Sequence, residues 1–333
     1  MVMKKFINDP ENLVSELLEG YTLAYPDKVT LVGENFVVRK IPKAEGNVGI
    51  VTLGGSGHEP GLSGYVGTGM LDISVPGEIF AAPGPPRCLE ALRMAERGAG
   101  VLFVVLNHAG DVMTANLTME MARKENLRVK MVLVHEDIAS GPREHPEERR
   151  GLVGFLPVLK IVGAAAEEGQ SLQDIYQLAT HFVENMRTLA VALRTATHPS
   201  TGEILFSLGD DEMEIGMGQH GEAGTGRMKL KTADETAETM LSQLLEDLDV
   251  QAGEELLVIL NGAGATTFME LFIIFRRVYH ILTEKKITIA RSRIGEYITT
   301  QEQAGFQMFI ARVDHELLRL WDAPCDTPYF AVG

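Results

Sequence analysis

Short apolar runs alternate with amphipathic stretches over most of the chain. "VGIVTLGG" (48–55), "GVLFVVLN" (100–107) and "VKMVLVHED" (129–137) read as buried strands. Between them, "PRCLEALRMAERG" (86–98) reads as a helix stopped by glycine, and "VMTANLTMEMARKEN" (112–126) as a second helix. Strands that are apolar on both faces and separated by helices predict a mostly parallel sheet covered on both sides. Glycine or a polar turn follows each strand's C-terminal end, where open α/β sheets place ligands.

The stretch 148–193 reads as two or more helices, and "HPSTG" (198–202) as a turn-rich link. A second α/β region with fewer strands follows. Its strands are read in "EILFSL", "ELLVILNGAGA" (255–265), "ITIARSRIGEYI" (287–298) and "FQMFIARVD" (306–314). Residues 231–250 between the first two form an acidic amphipathic helix. The expected fold class is therefore α/β, with two α/β domains, each a mostly parallel or mixed sheet flanked by helices. The N-terminal domain is expected over 1–194 and the C-terminal domain over 195–333.

Composition narrows the function classes. The 333 residues suffice for two ordinary domains. A formal charge of −16 argues against nucleic acid or an anionic membrane as a partner of the bulk surface. The two cysteines, Cys88 and Cys325, have no metal-type spacing, so neither a zinc site nor a disulfide framework is expected. No apolar run is long enough for a membrane span, and no signal-peptide pattern opens the chain, so a cytoplasmic protein is expected.

Residues 53–86, "LGGSGHEPGLSGYVGTGMLDISVPGEIFAAPGPP", are too rich in glycine and proline for ordinary helix or strand. "GGSGHEP" is neither a Walker loop nor a dinucleotide fingerprint, and a glycine turn alone is weak evidence of a ligand. His58 inside it changes the reading. Glycines let backbone approach a ligand closely, and an imidazole can then act on that ligand as a base. "EIGMGQHGEAGTG" (214–226) likewise places His220 among glycines, again with a glutamate close behind. "LNHAGDVM" (106–113) leads from a strand end to Asp111, which reads equally as a helix N-cap or as a group facing the ligand crevice. His108 and His135 follow strands, and their roles stay open. "LNGAGATTFMEL" (260–271) reads first as a structural turn, and Trp321 in "LLRLWDAPCDTPYF" (317–330) as a C-terminal lock or dimer contact.

Taken together, "GGSGHEPGLSGYVGTGML", "PGEIFAAPGP", "EMEIGMGQHGEAG", "LNGAGATTFMEL" and "LRLWDAPCDTP" resemble the dihydroxyacetone kinase K subunit family nearly end to end. The resemblance implies a two-domain α/β protein, usually a homodimer. It implies that His220 binds a ketone covalently as a hemiaminal, that His58 hydrogen-bonds the substrate and serves as general base, and that Asp111 also hydrogen-bonds the substrate and supports catalysis. Gly54, Gly55, Ser56 and Gly57 match the loop enclosing the small ligand. It further implies a partner-dependent phosphotransferase with no cofactor or metal in this chain. Nucleotide and magnesium would sit on a separate L-type subunit, which in the phosphotransferase-linked variant holds an ADP rephosphorylated by a third subunit. The chemistry is sound on its own terms, because a neutral imidazole nitrogen can attack a carbonyl carbon, and glycerol offers none.

The chain departs from the family pattern at specific places. Leu53 stands where a third glycine is usual. "Leu106-Asn107-His108-Ala109-Gly110-Asp111" stands where Lys-Asn-Tyr-Thr-Gly-Asp is usual. The family lysine contacts the substrate site, so Leu106 leaves a cation missing there. The segment after His220 is also shorter than in many members. These departures leave three readings: a dihydroxyacetone-binding kinase subunit, a kinase subunit for a related keto-sugar such as erythrulose, or a non-catalytic ketone-binding paralogue that co-activates a transcription regulator. The intact trio His58, Asp111 and His220 favours the kinases, since sensing needs only the covalent histidine.

Overall fold

The computed structural model describes residues 4–33, 35–222, 224 and 226–333. The first sheet comprises β1 (Val29–Val32), β2 (Phe36–Arg39), β3 (Gly49–Ser56), β4 (Ile73–Ile79), β5 (Val101–Leu106) and β6 (Val129–Val134), in the order β1-β2-β4-β3-β5-β6. β4, β3, β5 and β6 run parallel, and β2 joins β4 antiparallel. All six residues of β5 are buried, as its unbroken apolar run predicts for a strand covered on both faces. The helices of this half are α1 (Leu13–Ala24), α2 (Pro85–Ala95), α3 (Ala109–Lys124), α4 (Phe155–Glu167) and α5 (Leu172–Glu184).

The second sheet comprises β7 (Met186–Arg194), β8 (Glu212–Ile215), β9 (Gly226–Lys229), β10 (Glu255–Gly262), β11 (Thr288–Gly295) and β12 (Ala304–Arg312). Its order is β11-β10-β12-β7-β8-β9, and only β10 and β11 pair in parallel. With them come α6 (Ala233–Leu248), α7 (Phe268–Glu284) and α8 (His315–Asp322). Both sheets are thus mixed and flanked by helices, as expected. The expectation of fewer strands in the second is corrected, since each sheet has six. Part of 148–193, read as helical throughout, is β7: it precedes residue 195 yet is hydrogen-bonded between β12 and β8. An apolar run ending in Leu-Ala-Val-Ala-Leu does not by itself distinguish strand from buried helix. "EILFSL" forms no strand, and only Ile204 makes an isolated bridge, to Thr197.

The layers follow from the burial pattern. α2 and α3 cover one face of the first sheet, and α6 and α7 cover the outer face of the second. Between the sheets lies a shared core holding Val104 of β5, Phe155 and Leu159 of α4, Trp321 of α8 and Ile259 of β10. α4 is buried from Phe155 to Ala166 on every side, the signature of a helix with no solvent face. In the parallel part of the first sheet, the chain leaves β3 toward β4 and leaves β5 toward β6. The crevice beyond the C-terminal ends of β3 and β5 is therefore a topological switch point, where α/β sheets bind ligands.

Candidate functional site

A cavity of about 240 Å³ lies at that crevice. Gly54 and Gly55 reach it from β3, His58 and Leu62 from the following loop, and Leu106 from the end of β5. Asp111 comes from the first turn of α3. His220 and Glu222 come from the loop between β8 and β9, so the second sheet completes a site founded on the first.

Glycine is required here by close approach. A Cβ on Gly55 would lie 2.6 Å from the Ala81 backbone nitrogen. Gly57 has φ +106, and a Cβ there would strike the Phe80 ring at 2.6 Å. Phe80 itself holds a positive φ of 56, a conformation costly for a bulky residue. Its ring lies 5.1 Å from that of His58 and 5.2 Å from that of His220, walling the cavity with an aromatic face.

The two expected histidines meet directly, with His58 Nε2 3.0 Å from His220 Nε2. His58 is almost fully buried, and its Nδ1 lies 2.7 Å from the Thr299 carbonyl oxygen. The Thr299 backbone N–H donates to the His58 carbonyl and its hydroxyl to the Glu59 carbonyl, which fastens the 299–301 segment to the glycine loop. Burial, reinforced by His220, pushes the His58 imidazole down to about 3, so it is neutral at physiological pH. His220 is held by Glu222: its backbone N–H donates to Oε2 at 2.8 Å, and its Nδ1 lies 3.3 Å from Oε1. Burial raises the Glu222 carboxyl, but the hydrogen bonds and charge attraction of His220 outweigh it and hold the group well below the usual carboxylate range. Arg150, paired with buried Asp137, donates to the Gly216 carbonyl and braces the start of this loop.

Asp111 lines the cavity and is 8% exposed; burial pushes its carboxyl up to about 7, against a smaller lowering by His220. It is not the helix cap. His108 occupies that position, and Asp111 sits inside the first turn. Leu106 is buried against the cavity and gives it an apolar wall at the end of β5. Ser56 and Gly57 are not among the lining residues. The Ser56 hydroxyl turns away to donate to the Gly77 carbonyl, and the Gly57 N–H donates to Glu59. Ala223 and Thr225 of the His220 motif lie outside the described residues.

The structure also brings to the site His108, whose role the motifs leave open, and Thr299, Phe80 and Glu222, which no motif marks for a role. His108 lines the cavity with its Nε2 2.8 Å from the Gly151 carbonyl, and burial pushes it down to about 4. His108, His220 and Glu222 present ligand atoms within 4.8 Å of one another, a set that could hold a metal ion. Within that set, His220 and Glu222 already face each other through Nδ1 and Oε1 as a hydrogen-bonded pair. The glutamate recurring just after each glycine-bracketed histidine was the available signal for Glu222.

A Dak1 domain model matches residues 19–329, and the chain belongs to that family. The chain is 40% identical over 314 residues to the PTS-dependent dihydroxyacetone kinase, dihydroxyacetone-binding subunit DhaK, of Lactococcus lactis subsp. lactis (strain IL1403), covering 94% of each chain. It is 36% identical over 335 residues to the L-erythrulose kinase of Pectobacterium atrosepticum, covering 99% of this chain and 57% of that one. Among solved structures it is similar to the dihydroxyacetone kinase operon co-activator Dha-DhaQ, with TM-score 0.90, 30% identity, and 96% and 98% of the two chains covered. No helix among the described residues is long and apolar enough to cross a membrane.

Proposed function

We propose that this chain is the ketone-binding subunit of a dihydroxyacetone kinase. It holds the ketone as a hemiaminal on His220 while a separate L-type subunit, carrying nucleotide and magnesium, delivers the phosphoryl group to a terminal hydroxyl. The observation that carries this reading is the contact between His58 and His220 in a small cavity shared with Asp111. Covalent capture fixes the ketone and converts phosphorylation into a positional problem. Phosphoryl transfer passes through a loose transition state in which alignment matters more than early proton removal. Neutral His58 accepts a hydrogen bond from the substrate at Nε2. It is a weak base at about 3, whereas Asp111 at about 7 is better matched to take the proton.

A homodimer in the cytoplasm belongs to the same reading. What supports a second copy is the row of exposed apolar side chains Phe268, Met269, Phe272 and Ile273 on α7. An erythrulose kinase subunit is the second reading, favoured by Leu106, which replaces a cation with an apolar wall, and by the likeness to a kinase of that name. The likeness to a co-activator supports a third, non-catalytic role, against which the shared placement of His58, Asp111 and His220 weighs.

Reconstitution tests the proposal. Purified protein with ATP, magnesium and dihydroxyacetone should show no turnover until an L-type subunit is added. Robust turnover by the chain alone overturns partner dependence, and no turnover with any cognate partner and any short ketose overturns the kinase reading.

A further inference from the structure

His108 at the start of α3 and the pair His220 and Glu222 from the β8–β9 loop each bring one ligand atom to within 4.8 Å of the others. A tetrahedral ion bound by histidine nitrogens and a carboxylate oxygen at about 2.0–2.2 Å holds neighbouring ligand atoms about 3.3–3.5 Å apart. His220 Nδ1 and Glu222 Oε1 already stand 3.3 Å apart. A shift of about 1–1.5 Å brings the third ligand atom to the same spacing, and the cavity that all three residues line gives it room.

The atoms turned away from this centre are a second, independent observation. In metal sites the remaining polar atom of each imidazole or carboxylate is held by an outer partner, which fixes the orientation of the ligand. His108 has Nε2 2.8 Å from the Gly151 carbonyl oxygen, which leaves Nδ1 as its ligand atom. His220 has Nε2 3.0 Å from His58 Nε2. Glu222 has Oε2 accepting from the His220 backbone N–H at 2.8 Å. Each of the three is thus anchored through one polar atom, with the other available to a common centre. The charges nearby suit a cation. Asp111 adds a second carboxyl to the cavity, and Arg150, which lines the groove beside His108 and Glu222, is already paired with Asp137.

We propose that His108, His220 and Glu222 form a binding site for a zinc-class transition metal ion, with the fourth position facing the cavity. Two imidazole nitrogens and one carboxylate oxygen suit zinc and its neighbours, whereas magnesium and calcium take oxygen ligands. Three protein ligands and an open position is the count of zinc sites that bind water or a small molecule, not of closed structural sites. The site does not depend on the capture reading, but it uses the same ring. Zinc on Nδ1 draws electron density from the imidazole and makes it a poor nucleophile, so metal and ketone compete for His220.

Calorimetric zinc titration of untagged, chelator-treated, full-length protein tests the proposal. The parent should bind one zinc per chain. His108→Phe and Glu222→Gln should each weaken that binding by at least the roughly 10–100-fold that loss of an outer partner alone costs. His145→Ala, which removes an exposed histidine paired with Glu147, should leave it unchanged. Cobalt(II) in place of zinc should give the intense visible absorption of a four-coordinate ion, and both variants should lose it. Saturating zinc should suppress the dihydroxyacetone adduct on His220. Zinc binding that survives both His108→Phe and Glu222→Gln, a six-coordinate cobalt spectrum, or an adduct indifferent to saturating zinc overturns the assignment. If the parent forms no adduct even without zinc, the capture reading fails, while the zinc stoichiometry and the cobalt spectra still decide the metal site.

Discussion

His58 and His220 stand 162 positions apart in the chain, yet their Nε2 atoms face each other at 3.0 Å. Each ring is fixed from behind by a different element: the Thr299 carbonyl after β11 for His58, and Glu222 in its own loop for His220. A ketone entering the cavity must part this pair. On the proposed reading, its carbonyl carbon then meets His220 while a hydroxyl meets His58.

Covalent capture gives the first prediction. Mass analysis of the protein with dihydroxyacetone should find one ketone per chain, on the ring of His220 and on no other histidine. Glycerol, with no carbonyl to attack, should bind far more weakly. His220→Ala should abolish the adduct and most of the discrimination against glycerol. An adduct that survives His220→Ala would remove the residue from the reaction.

Asp111 supplies the pH dependence. Its carboxyl, pushed by burial to about 7, is protonated below that pH and charged above it. If the carboxylate accepts the substrate proton, turnover of the reconstituted system should rise as pH increases through about 7. Asp111→Asn should flatten that rise and cut turnover by about 10²–10⁴-fold, the usual contribution of a general base, with ketone binding retained. A rise of the same midpoint in Asp111→Asn would assign it to another group.

Much of this arrangement was legible in the chain. The unbroken apolar run of β5 and the largely apolar runs of β3 and β6 disclosed those strands, and glycines around His58 and His220 disclosed the two loops, because both signals are local. What escaped depends on tertiary contact. β7 looks like the end of a helical segment until β12 and β8 pair with it. Ser56 sits in the middle of the glycine motif, yet the parallel pairing of β3 with β4 turns its hydroxyl to Gly77. Thr299 fixes the His58 proton through a backbone carbonyl, an interaction that does not depend on residue type and leaves no trace in a motif.

Leu106 tests substrate choice. It is buried at the end of β5 and lines the cavity with an apolar side chain. Leu106→Lys should shift the preference of the reconstituted kinase toward dihydroxyacetone and away from four-carbon ketoses, measured as the ratio of kcat/KM values. Unchanged ratios and rates would mean that this wall does not select substrate.

Glu136 links stability to the site. It follows β6, and its Oε1 accepts from the backbone N–H groups of Leu152 and Gly154 and from the Thr188 hydroxyl of β7, while Oε2 is buried without a partner among the described residues. Burial, with a contribution from Asp137, pushes its carboxyl up to about 8, against the lowering by those hydrogen bonds. A carboxyl raised on folding binds its proton more tightly in the folded chain. The folded state therefore loses stability as pH rises from the ordinary carboxylate range toward about 8. Glu136→Gln keeps the acceptor and removes the titration. Unfolding free energies of variant and parent, from urea titrations, should lie close at pH 5 and diverge toward pH 9 in the variant's favour, by on the order of a few kcal/mol. The 150–154 segment that Glu136 holds also carries Arg150, which braces the His220 loop, and the Gly151 carbonyl, which orients His108. Ionising Glu136 should therefore loosen the site before the protein unfolds, and the variant should keep its ketone affinity at pH 9 better than the parent does. Parallel stability curves across this pH range would show that Glu136 does not titrate between folded and unfolded states.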